Sequence, residues 1–329
     1  YPVCGVSKIQ KLQMATQDGS NVSVISVDGN FDDAQTGVKR IFSDDGMRAE
    51  LDRRGYFLSS ANSINWGRLV PQIVYYYSGY VSLVDAGVIK LGDSIDVAVP
   101  TGNFGNIFAA YLARRMGLPI RRLICASNSN NILTDFLANG VYDRNRPFHT
   151  TMSPSMDILI SSNLERLIYL MTDAATTAEL MNELSATGRY KLTREAFDKI
   201  KEVFSGFCAD EADTAEAIKA HFVNSHYLCD THTAGALSCV DKYLSGIVED
   251  TKRPVLAAST ASPYKFAADV LSSLTEKVSP EGPAALNALS EYTGTPIPAP
   301  LSGLEMRPVR FDRVIEVGAM PANVLTQLA

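Results

Sequence analysis

The stretch Val-Ala-Val-Pro-Thr-Gly-Asn-Phe-Gly-Asn at residues 97–106 decides the fold. A buried apolar strand, expected over Ile95–Pro100, empties there into a glycine turn that opens a helix expected over 107–115. Proteins hold phosphates with this order of elements. Gly102 and Gly105 would let bare backbone approach a ligand, while the first turn of the helix aims unbonded N–H groups at it. The helix dipole adds only about 0.3–1 kcal/mol when exposed and about 2 kcal/mol when partly buried, so converging amide hydrogen bonds must do most of the holding. A plain strand-to-helix turn is the alternative reading of the same residues.

The spelling of the loop narrows the ligand. A Walker loop ends in Gly-Lys-Ser/Thr, and neither that lysine nor its hydroxyl follows Gly102, which argues against triphosphate hydrolysis. A dinucleotide fold wants an acidic residue closing the next strand. Here the strand expected over 120–126 runs instead into Ser127, Asn128, Ser129 and Asn130. A small phosphorylated cofactor or metabolite remains.

The chain of 329 residues is long enough for about two domains, with roughly three quarters of the unfolded surface buried. Hydrophobic residues at 46% and charged residues at 20% argue against disorder. The net charge of −6 disfavours nucleic acid as a partner. Five cysteines, an odd number without ligand spacing, read as reduced thiols in a reducing compartment. His149, His221, His226 and His232 form no ligand grouping with carboxylates, so no metal site is expected, and no G-x-S-x-G elbow occurs. Neither a spanning apolar run nor a signal peptide is visible, so no membrane partner is expected and a cytoplasmic location is.

The periodicity predicts a strand over 22–27, a helix over 31–53 with Asn30 as its cap, a short strand at Phe57 and Leu58, and a helix over 64–84. A helix over 131–138 follows the second core strand. Between 153 and 225 the pattern changes to successive helices, at 157–171, 176–184, 193–204 and 211–222, which reads as a helical insertion in a larger domain. Strand character returns at 254–258, followed by helices from Lys265 and Gly282 and a less legible ending after Pro296. Such β/α alternation implies an α/β fold with parallel sheets and helices on both faces. The expected domains are 1–61, part of a smaller domain, and 62–329, with loops after Pro100, Ala126 and Ala258 sharing one rim.

The Thr-Gly-Asn-Phe-Gly-Asn loop resembles threonine synthase. So do Gly5-Val6-Ser7-Lys8-Ile9-Gln10, Gly29-Asn30-Phe31-Asp32-Asp33, residues 59–68 (Ser-Ser-Ala-Asn-Ser-Ile-Asn-Trp-Gly-Arg), Asp230-Thr231-His232-Thr233-Ala234 and residues 259–266 (Ser-Thr-Ala-Ser-Pro-Tyr-Lys-Phe), in the family's order over nearly the whole chain. The resemblance implies a two-domain, tryptophan synthase β-like fold, fold type II among enzymes of pyridoxal 5'-phosphate, with the cofactor between the domains. Gly102, Asn103, Phe104, Gly105 and Asn106 would take its phosphate. Thr260 would face its pyridine nitrogen with a neutral hydroxyl, which weakens the electron sink and suits elimination and replacement over transamination. A helix cap is the local alternative for Thr260.

Asn62, Ser63, Asn65 and Arg68 precede or begin a helix, and capping with a solvated arginine is the simpler reading of the residues alone. The resemblance implies instead a second anion site, for the substrate O-phospho-L-homoserine, with Arg68 its guanidinium. His232 just before a helix reads as structural, with orientation of substrate as the alternative. The family's Schiff-base lysine lies in a Phe-Lys-Asp-like stretch that the sequence lacks, and neither Lys8 nor Lys265 is assigned that role. The expectation is that the family would already have run through about its first third before Tyr1. The intact protein would then be a lyase forming L-threonine and phosphate, with this chain alone inactive. The alternatives are a non-catalytic module binding a phosphometabolite or a subunit, and another pyridoxal phosphate lyase acting on a phosphorylated amino acid.

Overall fold

In the computed structural model, which describes residues 1–4, 6–29, 31–248 and 251–328, the strand Ile95–Pro100 forms as expected and all six of its residues are buried. Among the described residues there are eight strands: β1 (Ser26–Asp28), β2 (Ile95–Pro100), β3 (Ile120–Ser127), β4 (Val141–Asp143), β5 (Arg189–Lys191), β6 (Phe204–Cys208), β7 (Val255–Ala257) and β8 (Val314–Glu316). The main sheet has the order β6-β3-β2-β7 and is parallel throughout. Alternation along its strands sends side chains to two cores. Val97, Val99, Leu123 and Cys125 face the large cluster that includes Ile107, Phe108 and Phe136 from the helices Gly105–Arg115 and Ile132–Asn139. Ala98 and Ile124 face Val240 and Tyr243, and Ala126 faces Ala236 and Cys239, all from the helix Thr231–Ser245. Helices therefore cover both faces, and the alanines let the second layer approach closely.

Within this sheet Asp96 is fully buried and accepts from Arg121 Nε at 2.9 Å and from the Tyr243 hydroxyl at 2.8 Å. Burial, then the Asp96 carboxylate, push the Tyr243 phenol up to about 12. Asp96→Ala is expected to cost about 2 kcal/mol in urea unfolding, because Tyr243 loses its acceptor inside the fold while Arg121, partly exposed, turns to solvent. Tyr243→Phe should cost only about 1 kcal/mol, the net value of one hydrogen bond.

The chain divides into two units. The larger comprises 60–263 and 273–276; the other comprises 1–59, 264–272 and 277–329. The unit that holds the chain's beginning thus also takes in residues 264–272 and 277–329, which the expected division at 61/62 places with the large domain. Residues 264–272 and 277–329 group with the chain's beginning because β8 pairs in parallel with β1, Val27 opposite Ile315, and because Met320 and Val324 pack on Ile41, Met47 and Leu51. Pairings between segments so far apart leave no local pattern.

Four other expectations change. The helical insertion over 153–225 contains two strands, of which β6 is an edge of the main sheet; Phe-Ser-Gly-Phe-Cys is too short and glycine-broken to read as a strand, and β3 alone supplies its ladder. The helix expected from 157 begins only at Leu164, since Asp157 is engaged in a polar network. Residues 31–53 form two helices, Phe31–Ser43 and Asp45–Arg53, with Asp44 capping the second through Met47 N–H at 3.0 Å. Phe57 and Leu58 lie outside any strand. Asn30, expected as a cap, and Gly5 lie outside the described residues.

Candidate functional site

The four parallel strands bring their carboxyl ends to one edge of the larger unit. Thr101 leaves β2 there, tied by its N–H to Ala126 O at 2.8 Å, and its hydroxyl donates to Val99 O at 2.7 Å. Phe104 then adopts φ 62° in the left-handed region, where a bulky residue costs about 1–2 kcal/mol. Its ring is 1% exposed and sits 5.7 Å from the Phe204 ring, so burial worth about 1.5–3 kcal/mol offsets the strain. Phe104 thus contributes backbone to the loop and side chain to the core.

No side chain caps the helix Gly105–Arg115. The first amide of that helix with a backbone partner is Phe108 N–H, which donates to Phe104 O at 3.0 Å. Among the described residues the N–H groups of Gly105, Asn106 and Ile107 have no protein acceptor. Such uncapped amides at a helix start fit an anion.

The glycines act differently from the expectation of open backbone facing a ligand. A Cβ on Gly102 would overlap the Ser155 carbonyl oxygen and approach Met156 Cα to 3.2 Å. A Cβ on Gly105 would come within 2.7 Å of Ser63 Cβ. In both places the missing side chain is replaced by other parts of the same unit. Gly105 thereby joins the loop to Ser63, one of the residues expected at a substrate site.

A wall formed by residues 151–166 fixes the loop from behind. Ser161 Oγ donates to Gly102 O at 2.7 Å, Asn163 N–H and Nδ2 donate to Asn103 O at 3.1 and 2.8 Å, and Ser162 Oγ donates to Asn103 Oδ1 at 3.3 Å. Arg166 joins this wall to Ser63, donating to Asn163 Oδ1 at 2.7 Å, to Ser63 O at 2.8 Å and to Ile64 O. Asn106 is held on the other side by the Tyr76 hydroxyl, which donates to its Oδ1. Further along the edge Asn128 Nδ2 donates to Asp157 Oδ1 at 2.7 Å, and Asn130 Nδ2 to the same oxygen at 3.0 Å.

The Asp230-Thr231-His232-Thr233 motif enters this wall. Asp230 caps the helix Thr231–Ser245, accepting from His232 N–H at 2.9 Å and Thr233 N–H at 3.4 Å, and it also accepts from the Thr233 hydroxyl. His232 Nε2 accepts Ser155 N–H at 3.1 Å, and Nδ1 lies 3.1 Å from Asp230 Oδ1.

The remaining expected residues fall as follows. Asn62 Oδ1 accepts Ile64 N–H at 3.1 Å; Asn65 caps the helix Trp66–Leu69 through Gly67 N–H at 2.9 Å and donates to Ser60 O at 2.9 Å. Ser63 Oγ accepts from Gln72 at 3.2 Å. Arg68 is exposed and donates through Nε to Ala61 O at 2.8 Å, leaving its terminal nitrogens without a protein acceptor among the described residues. Thr260 is exposed, two residues past Ala258, whose N–H donates to Ala98 O at 2.9 Å on the strand that carries the loop. Lys8 pairs with Glu281 at the surface of the other unit, 2.7 Å apart.

Sequence reasoning missed Ser155, Ser161, Asn163, Arg166 and Tyr76. The run Ser161-Ser162-Asn163 before an apolar helix was a capping signal; Arg166 and Tyr76 gave none, because each acts on segments far away in sequence. A cavity of 690 Å³ lies beside Asn163 and Arg166, lined also by Trp66, Phe108, Leu112 and Tyr169, but by none of residues 101–106.

Among the described residues no cluster of three or more His, Cys, Asp or Glu is arranged to hold a metal ion, and no helix is long and apolar enough to cross a membrane. All five cysteines are unpaired. Burial pushes the Cys125 thiol up to about 12 against a hydrogen bond with Thr101, and burial followed by the Asp230 charge does the same for Cys229. Under native conditions a thiol reagent should therefore label exposed Cys4 first and leave the buried Cys125, Cys229 and Cys239 slowest; mass mapping of the labelled protein checks the order.

No family model matches the chain. It is 40% identical to human threonine synthase-like 1 over 330 residues, covering 99% of this chain and 44% of that protein. It is 36% identical to threonine synthase of Pseudomonas aeruginosa over 271 residues, 81% of this chain and 54% of that enzyme. The chain thus spans about half the length of the curated relatives it matches. Among solved structures, pyridoxal phosphate-bound threonine synthase from Brucella melitensis matches with a TM-score of 0.82 and 34% identity, covering 99% of this chain and 64% of that one. A tryptophan synthase β-like fold, the signature loop at residues 101–106 and this identity along almost the whole sequence place the chain in the threonine synthase-like family.

Proposed function

We propose that the larger unit is the cofactor-phosphate-binding part of a pyridoxal 5'-phosphate enzyme, and that the intact protein converts O-phospho-L-homoserine and water to L-threonine and phosphate. The observation that carries this reading is the uncapped helix start, with the N–H groups of Gly105, Asn106 and Ile107 behind a left-handed Phe104. In its bound state the cofactor supplies an electron sink for carbanions formed on the amino-acid substrate.

The chain's own residues have separate tasks in this reading. The three amides bind the phosphate, and Asn103 and Asn106, themselves held by Asn163 and Tyr76, keep the loop from opening. Thr260 presents an uncharged hydroxyl to the ring nitrogen. Arg68 and Ser63 receive the anionic groups of the substrate, while Asn62 and Asn65 set the turn that presents them. A cytoplasmic setting is consistent with five unpaired thiols. The proton-transferring lysine is not assigned to any residue of this chain, and the 329-residue chain is expected to show no turnover of O-phospho-L-homoserine.

The test of the site is comparative binding. The chain should bind pyridoxal 5'-phosphate at least about tenfold more tightly than pyridoxal, because only the former offers the phosphate to the amides. Equal affinity for the two compounds would sink the assignment of the loop. Release of phosphate from O-phospho-L-homoserine by the purified chain, with its length confirmed by mass, would overturn the expectation of inactivity.

A further inference from the structure

The signature histidine lies behind the loop, against Ser155. Ser155 N–H can only donate, so His232 Nε2, 3.1 Å away, must be the unprotonated ring nitrogen. The ring proton then resides on Nδ1, directed at Asp230 Oδ1 at 3.1 Å. Both side chains are buried, Asp230 completely and His232 to 3% exposure, so the tautomer is set by protein and not by solvent. Ser155 is the residue whose carbonyl fills the space a Cβ would take on Gly102.

From this we infer that His232 is a positioning residue for the phosphate loop: Asp230 fixes its tautomer, Nε2 anchors the Ser155 amide, and the Ser155 carbonyl seats Gly102 so that the amides of residues 105–107 converge. The inference rests on the proposed role of that loop. It assigns His232 no contact with cofactor or substrate. Its chemistry is that of a neutral acceptor, which distinguishes it from a simple packing role, since a side chain of similar bulk without an acceptor at the Nε2 position would fill the space and still release Ser155.

Two substitutions separate the ring nitrogens. In His232→Gln the side-chain amide oxygen can occupy the place of Nε2 and accept from Ser155. In His232→Asn the amide nitrogen can take the place of Nδ1 and keep Asp230 engaged, but nothing reaches Ser155. Amide hydrogen exchange of the unliganded chain should show Ser155, Asn163 and Phe108, whose N–H groups bond His232 Nε2, Asn103 O and Phe104 O, exchanging about tenfold faster in His232→Asn than in the parent, and within about threefold of it in His232→Gln. Affinity for pyridoxal 5'-phosphate should fall about tenfold in His232→Asn and stay within about threefold in His232→Gln, with pyridoxal affinity unchanged in both.

Equal exchange in the parent and His232→Asn overturns the positioning role, as does equal acceleration in both variants, which would mark His232 as packing only. If exchange follows the expected order while the parent binds pyridoxal and its phosphate equally, the anchoring stands as a property of the loop and the phosphate-site reading falls. The two failures are thus distinguishable.

Discussion

Replacing Asp230 with alanine is expected to lower the stability of the larger unit by about 3–4 kcal/mol in urea unfolding. The carboxylate is fully buried and accepts from two backbone amides at the helix start, from the Thr233 hydroxyl and from the His232 ring. Alanine removes a helix cap worth about 1 kcal/mol and strands several donors, each costing about 1–3 kcal/mol when buried without a partner. Asp230→Asn keeps an oxygen for some of these donors and should lose less than half as much. The pH dependence follows from the same contacts. Burial alone would raise the carboxyl, but hydrogen bonds from His232 and Thr233 outweigh it and hold it below the ordinary value of 3.8. A group depressed in the folded state stabilises it fully above the unfolded value, and that contribution disappears as the pH falls below about 4 toward the native value. Subtracting the Asp230→Asn acid-unfolding profile from that of the parent should show this loss, and a difference that is flat below pH 4 would contradict it.

Gly102→Val should abolish selective binding of pyridoxal 5'-phosphate over pyridoxal and cost about 3 kcal/mol of stability. The cause is steric and local: a Cβ at residue 102 overlaps backbone at Ser155, which cannot rotate away as a side-chain tip would. The loop and the wall at 153–156 must separate, which breaks the Ser161 hydrogen bond to Gly102 O and misaims the amides beyond Phe104. Gly318→Ala, in the other unit, has nothing within 4 Å of the added carbon and should change stability by less than about 0.5 kcal/mol. Retention of phosphate-selective binding in Gly102→Val would refute the coupling of wall and loop.

The strand Ile95–Pro100 and the helix after it were legible because their signals are local: the apolar run Val97–Val99, a proline, two glycines and an apolar helical period within twenty residues. The same holds for the second core strand, read over 120–126 and found at Ile120–Ser127, and for the helix at Ile132–Asn139. Legibility failed where one segment forms only against another. Phe204–Cys208 is a strand because β3 lies beside it, and Val314–Glu316 because β1 does. Residues 157–163 carry helix-compatible sequence, yet Asp157 is drawn to Asn128 and Asn130, and Asn163 to Asn103, so helix begins only afterwards.

The candidate site shows the same division. Its loop was found by spelling, and its family by motifs in order along the chain. Why Gly102 and Gly105 must be glycine was not in the spelling: Ser155 and Ser63 fill those spaces, one fifty-three residues later and the other forty-two earlier in sequence. The sequence by itself determined the parallel α/β architecture, the family and the position of the glycine turn that opens the helix Gly105–Arg115, because strand period, helix start and glycine spacing are short-range properties of the chain. Only the tertiary structure decided which residues hold that turn and which groups lie beside the two ring nitrogens of His232, since a hydrogen bond between distant segments exists only after the fold has closed around it.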